Sequence, residues 1–245
     1  MSLGFQFKQF YIRHDKCAMK VGTDGVLLGC WATPPLPSPQ GRGIRILDIG
    51  TGSGLIARML MQRFPEAVVE AIDIDEAAVQ QARENGVDAH LSSLQAWQNP
   101  QYTLIVSNPP YFQNSLKNPD KGRQTARHTD TLSYEDLIMH SARLLTEGGT
   151  LALILPAESE TEIVSIAAQH SLYLTRVTRV YSKVSKPPRR VLLQFELSRS
   201  RDHGIAESSN PQFLNSSNLR DSLVLEDDQG HRSAAYREIA KDFYL

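Results

Sequence analysis

The sequence predicts an α/β protein built on a doubly wound, mostly parallel sheet. Short apolar runs rich in β-branched residues alternate with helix-length segments, and the runs read as strands buried on both faces. Size agrees: 245 residues with 41% hydrophobic content can bury one substantial core. We therefore expect a single domain over 1–245, with an N-terminal arm (1–43) and a C-terminal segment (203–245) as extensions.

The elements follow in order. The arm holds a helical stretch "GVLLGCWA" and ends in the Pro/Gly-rich loop "TPPLPSPQGRG" (33–43). "IRILDIG" (44–50) is the first strand, followed by a glycine turn and a helix from Leu55 that must stop near Pro65. "VVEAIDI" (68–74) is the second strand, and "DEAAVQQARENG" after it opens acidic and closes on Gly86, as a helix does. "DAHLSS" and "YTLIVSN" are the third and fourth strands. "SYEDLIMHSARLLTEGG" is a helix with Ser133 as N-cap and Gly148 as stop, and "TLALILP" is the fifth strand. After a helix near 158–170, "LTRVTRVYS" and "RVLLQFELS" are joined too closely for a helical crossover, so they pair as an antiparallel hairpin. "ESSNPQFLNSSNLRDS" (207–222) reads as a solvated surface loop.

Composition excludes several classes. Lys+Arg 26 against Asp+Glu 27 leaves the chain nearly neutral, so affinity for a polyanion must come from local patches. Cys17 and Cys30 have neither CxxC spacing nor a His cluster, which points to no metal and no disulfide, and fits reduced thiols in the cytoplasm. No apolar run approaches the roughly 20 residues of a membrane span, and the N-terminus lacks signal-peptide zones.

Two motifs carry a ligand site at the carboxyl ends of the strands. In "LDIGTGSG" (47–54), Gly50, Gly52 and Gly54 permit a tight turn and close backbone approach to a ligand at a helix N-terminus, where unpaired N–H groups favour an anionic group. A dinucleotide fingerprint places Gly or Ala three residues after Gly52, but this chain has Leu55, which argues against NAD. In "AIDID", Asp73 ends the next strand at the separation that lets a carboxylate take two ribose hydroxyls, while Asp75 starts the following helix.

A third motif, "SNPPYF" (107–112), puts an amide and two rigid prolines after a buried strand. With the other two, in this order, it resembles class I S-adenosyl-L-methionine-dependent methyltransferases that act on planar amino groups. That resemblance implies a Rossmann-like sheet of seven strands with one antiparallel, and cofactor contacts from Thr23, Asp48, Gly50, Gly52, Gly54 and Asp73. It also implies a catalytic group of Asn108, Pro109, Pro110 and Tyr111. An exocyclic amine is a weak nucleophile because its lone pair is delocalised, and placed acceptors stabilise the cation that develops on it. Asn108 and the Pro109 carbonyl supply the acceptors, the prolines fix the turn, and Tyr111 gives a flat surface for an extruded base.

Over nearly the whole chain, with "FKQFYIRHDKCAMKVGTDGVLLGCWA" (7–32), "QTARHT" (124–129) and "YREIAKDFYL" (236–245), the likeness narrows to bacterial methyltransferases acting on adenine 37 in the anticodon loop of a valine tRNA. It implies that Thr23, Asp24 and Gly25 border the methionine end of the cofactor, a role compatible with starting the helix that follows. Ser93 stands where many relatives have an aspartate against the cofactor adenine.

The nucleic-acid contacts expected are Arg123, Arg127, Arg189 and Arg190, within basic runs that also include Arg176, Arg179, Lys183 and Lys186. A solvated hairpin edge explains the same residues. A monomer is expected. Protein-glutamine methylation, a DNA adenine target and a cofactor-binding RNA chaperone stay open as alternatives. The first is disfavoured by the short N-terminal region, the second by the lack of a recognition domain and the third by an intact motif.

Overall fold

The computed structural model describes residues 3–17, 19–35, 43–98, 101–109, 132–199 and 220–244. The sequence-predicted Pro110, Tyr111, Arg123 and Arg127 lie outside these residues. The arm opens with a small antiparallel hairpin of β1 (Gly4–Gln6) and β2 (Tyr11–Arg13), then α1 (Thr23–Trp31). The central region runs β3 (Arg45–Ile49), α2 (Leu55–Arg63), β4 (Val68–Asp73), α3 (Glu76–Glu84), β5 (Asp88–Leu91) and β6 (Tyr102–Ser107). It continues with α4 (Tyr134–Leu144), β7 (Leu145–Pro156), α5 (Glu160–Gln169), β8 (Leu172–Tyr181) and β9 (Pro188–Leu197). The C-terminal segment adds β10 (Arg220–Val224) and α6 (Ala234–Ile239).

The main sheet is ordered β10, β8, β9, β7, β6, β3, β4, β5. Only β9 runs antiparallel to its neighbours, β7 and β8, as the short Lys-Pro-Pro link requires. From β3 the chain winds outward through β4 to β5, then returns to place β6 on the other side of β3. The carboxyl ends of β3 and β6 thus flank the point where strand order reverses, which is where ligands bind in open α/β sheets.

Alternation along the strands explains the double winding. Ile46, Leu104, Val106, Ala152 and Ile154 point into one apolar layer with α1 to α3. Leu47, Ile105, Leu151, Leu153 and Leu155 point into the opposite layer with α4 and α5. A third cluster joins arm to C-terminus, with Phe7, Phe10 and Ile12 packed against Met59 and Phe243.

Three local expectations are revised. The seven predicted strands are present, but β10 adds an eighth by pairing in parallel with β8, so 220–222 are strand and not loop. Leu223 is buried there, and Asp221 accepts a hydrogen bond from Thr178; flanking Ser and Asn residues hide this short signal. Second, α4 ends at Leu144 and β7 starts at once, so Gly148 does not stop the helix. Gly148, at φ 72°, sits in an irregular stretch of β7, where β-carbons on Gly149 would lie 3.0 Å from the Tyr102 carbonyl. Third, Gly22 is the N-cap of α1, placing Thr23 and Asp24 in its first turn. Among the described residues no helix is long and apolar enough to cross a membrane.

Candidate active site

The glycine turn between β3 and α2 is tied to the next strand by backbone bonds. The Gly50 and Thr51 amides donate to the Ile72 carbonyl at 2.9 and 3.2 Å. Gly52 lies at φ 55° with open space where a β-carbon would stand, so the backbone itself faces the cavity. Gly54, at φ 80°, serves packing instead: a β-carbon there would meet Val87 at 2.8 Å and Ala82 at 3.2 Å.

Two carboxylates brace this turn. Asp48 is fully buried, and its Oδ2 accepts from the Thr51 hydroxyl at 2.7 Å and the Ala57 amide at 3.2 Å, tying the strand to the first turn of α2. Burial pushes its carboxyl up to about 7, against the opposing pull of those two hydrogen bonds. Its Oδ1 is buried without a partner among the described residues, an acceptor left beneath the turn. Asp73 Oδ2 accepts from the Gly52 amide at 2.9 Å and Oδ1 from the Asp75 amide at 3.0 Å. Asp75 caps α3 through the Ala77 amide at 2.9 Å, as expected. Ser93 Oγ accepts from the Ala96 amide at 3.3 Å, so this side chain closes a turn of its own chain.

A cavity of about 580 Å³ opens over the turn. Thr23, Gly50, Gly52, Asn108, Arg189 and Arg190 all reach its wall; Asp48, Gly54, Asp73 and Pro109 do not, the first three supporting the turn instead. Asn108 follows the end of β6, whose last residue Ser107 donates its hydroxyl to the Ile49 carbonyl at 2.9 Å. The residue that begins the third motif therefore stands beside the strand that carries the first. Asn108 Nδ2 donates to the Met19 sulfur at 3.9 Å, and Pro109 is buried behind it.

The far wall is built from segments that sequence reasoning did not single out. Met19 and Lys20 come from the arm, Val180 and Ser182 from the end of β8, and Leu225 from beyond β10. None belongs to a motif, and only the likeness over 7–32 marked part of the arm. The basic hairpin divides into two groups. Arg176 lies over the Trp31 ring at 4.3 Å, and Arg179 forms a double hydrogen bond with Glu160 at 2.9 and 2.6 Å, so both are committed within the fold. Arg190 Nε donates to Asp24 at 2.8 Å, a strut between β9 and α1 across the cavity mouth. Arg189 lines the cavity and is exposed, Lys186 is exposed on the link between β8 and β9, and neither forms an ion pair among the described residues. A trio of Glu70, Asp88 and His90 lies close together away from this cavity, but Glu70 is held by Arg45 at 2.6 Å and Tyr102 at 3.1 Å.

Comparison with known proteins matches residues 34–168 to the family described as Methyltransferase small domain. A protein of Parabacteroides distasonis named tRNA1(Val) (adenine(37)-N6)-methyltransferase is 44% identical, the match covering 98% of this chain and 97% of that one. One of the same name from Aeromonas hydrophila is 40% identical over 99% and 97% of the two chains. The fold is also that of a solved structure from Agrobacterium tumefaciens, described as a predicted O-methyltransferase, with a TM-score of 0.62 at 16% identity, covering 90% and 96% of the chains.

Proposed function

The chain belongs to the methyltransferase small-domain family, and from that membership we propose that it methylates the exocyclic N6 amine of adenine 37 in the anticodon loop of a valine tRNA. The observation that carries this reading is one shared cavity, with the open glycine turn on one side and Asn108 on another. The position and the tRNA come from the relatives' substrate.

The residues fit S-adenosyl-L-methionine. Open space over Gly52 leaves room for close backbone contact, and the buried acceptor of Asp48 lies beneath the same turn. Thr23, Gly50, Thr51 and Gly52 line the cavity, and Asp73, which holds the Gly52 amide, is the carboxylate we assign to the ribose hydroxyls. When bound, this cofactor supplies an electrophilic methyl group on a sulfonium.

The protein's task is then to make a poor nucleophile reactive. The Asn108 amide oxygen and the Pro109 carbonyl accept from the adenine NH₂, which favours charge appearing on that nitrogen. Tyr111, following Pro110, holds the extruded base by stacking. No strong base is required, because the amine proton is acidic once the nitrogen is cationic. A target in a single-stranded loop can be extruded without breaking a duplex pair. Arg189 and Arg190, with Arg123 and Arg127, contact the tRNA backbone. We read the enzyme as a cytoplasmic monomer, Cys17 and Cys30 being buried free thiols of the kind a reducing compartment maintains.

The test is mass spectrometry of nuclease-digested valine tRNA, isolated from a strain lacking the gene and treated with enzyme and cofactor. We expect one added methyl, on adenine 37. Methylation elsewhere, or none, sinks the assignment.

A further inference from the structure

The arm reaches the cavity because it is clamped there. Asn85, just after α3 and 8% exposed, accepts from the Arg13 amide at 2.9 Å and donates to the Arg13 carbonyl at 2.8 Å and the Ser53 carbonyl at 2.7 Å. One buried amide thus ties the arm to the glycine turn. Gln81, fully buried on α3, accepts from the Lys16 amide at 2.8 Å. Within the loop, the Val21 amide donates to His14 Nδ1 at 3.3 Å and the Cys17 thiol to the Met19 carbonyl at 3.1 Å. The backbone of Met19 is fixed by these bonds, although its side chain is half exposed at 52%.

That side chain meets the residue on which the chemistry depends, with 3.9 Å between the Met19 sulfur and Asn108 Nδ2. A thioether can accept a hydrogen bond but has no proton to give. It therefore distinguishes the two ends of an amide, welcoming the NH₂ edge and repelling the oxygen. The distinction matters because an amine needs an acceptor facing it, and a flipped Asn108 would set NH₂ against NH₂.

Resting on the tRNA-amine reading above, we propose that Met19 is a positioning residue that selects the productive orientation of the Asn108 amide. The sulfur takes the Nδ2 edge and turns the oxygen toward the substrate amine. An amide oxygen has two lone pairs, so this holds whatever else that oxygen touches. Met19 acts through Asn108 and has no part in the methyl transfer itself.

Two substitutions test this, because packing and hydrogen bonding rank them in opposite orders. Met19→Leu keeps the volume and apolar character but removes the acceptor. Met19→Glu keeps a chain of similar length and, ionised, offers the Asn108 amide acceptors and no donor. We expect Met19→Leu to lower kcat on tRNA about three- to tenfold, the worth of one modest hydrogen bond, with KM for tRNA and cofactor unchanged. Met19→Glu should keep kcat well above that of Met19→Leu, and half exposure means neither change should shift the melting temperature appreciably. Leu as active as wild type, a kcat for Glu as low as for Leu, or a raised KM for tRNA in Met19→Leu at unchanged kcat would each overturn the inference. Wild-type protein that methylates no tRNA would overturn the functional reading with it, so the two failures are told apart by the control.

Discussion

The two sides of the cavity are made differently. The side proposed for the cofactor is a single turn between consecutive core elements, and its restraints are short: Gly50 and Thr51 to the Ile72 carbonyl, Thr51 and Ala57 to Asp48, Gly52 to Asp73. The opposite side gathers Met19, Val180, Ser182, Arg190 and Leu225 from the arm, hairpin and C-terminal segment. It is held by contacts between distant parts of the chain, such as Asp24 to Arg190, Asn85 to Arg13, and β10 along β8. Moving the first side would unmake the sheet. The second can change its side chains while the sheet stays intact, which suits the part of an enzyme that recognises its substrate.

Asn108 belongs by position to the sheet, since it follows the last residue of β6, but it lines the cavity and in the role proposed for it faces the substrate. Asn108→Ala should lower turnover by on the order of 10²–10³, as for loss of one transition-state acceptor, while calorimetric affinity for the cofactor stays the same. Equal losses in both would move Asn108 to the cofactor side and break the division. Asp73→Ala should do the reverse. It removes the acceptor for the Gly52 and Asp75 amides as well as the proposed ribose contact, so cofactor affinity should fall roughly 10- to 100-fold with tRNA affinity unchanged. Unaltered cofactor affinity would refute the ribose assignment.

The same division explains what could be read from the sequence. The glycine turn, Asp73, Asp75 and Asn108 were legible because each need is local: a left-handed backbone, a strand-end carboxylate, a cap, an amide after a strand. The antiparallel β9 was legible too, because a Lys-Pro-Pro link leaves no room for a crossover helix. β10 was not, since its pairing is decided by β8, more than 40 residues earlier in the chain, and not by its own composition. Nor could the arginines be sorted. Arg176, Arg179, Arg189 and Arg190 look alike in the sequence, and only the positions of Trp31, Glu160 and Asp24 show that three of them already have partners. Asn85 was invisible for the same reason, being one polar residue at a helix end whose three bonds reach both the arm and the glycine turn.

The arginines give the finest test, because two neighbours in sequence should behave differently. Arg189 is exposed at the rim, whereas Arg190 is half-buried with its Nε on the Asp24 carboxylate. Releasing counterions from a nucleic-acid backbone requires net positive charge at the phosphate, and a guanidinium already matched by a carboxylate brings less of it. Arg189→Ala should therefore weaken tRNA binding and flatten the plot of log affinity against log salt by roughly 0.7–0.9 units, one phosphate contact's worth. Arg190→Ala should change that slope by less. Its main effect should come from loss of the strut between β9 and α1, which lowers affinity at every salt concentration alike. Binding titrations across a salt series on the two single variants decide the matter. Equal slope changes would mean that Arg190 leaves Asp24 for the tRNA, and an unchanged slope for Arg189→Ala would return the hairpin to the role of a solvated sheet edge.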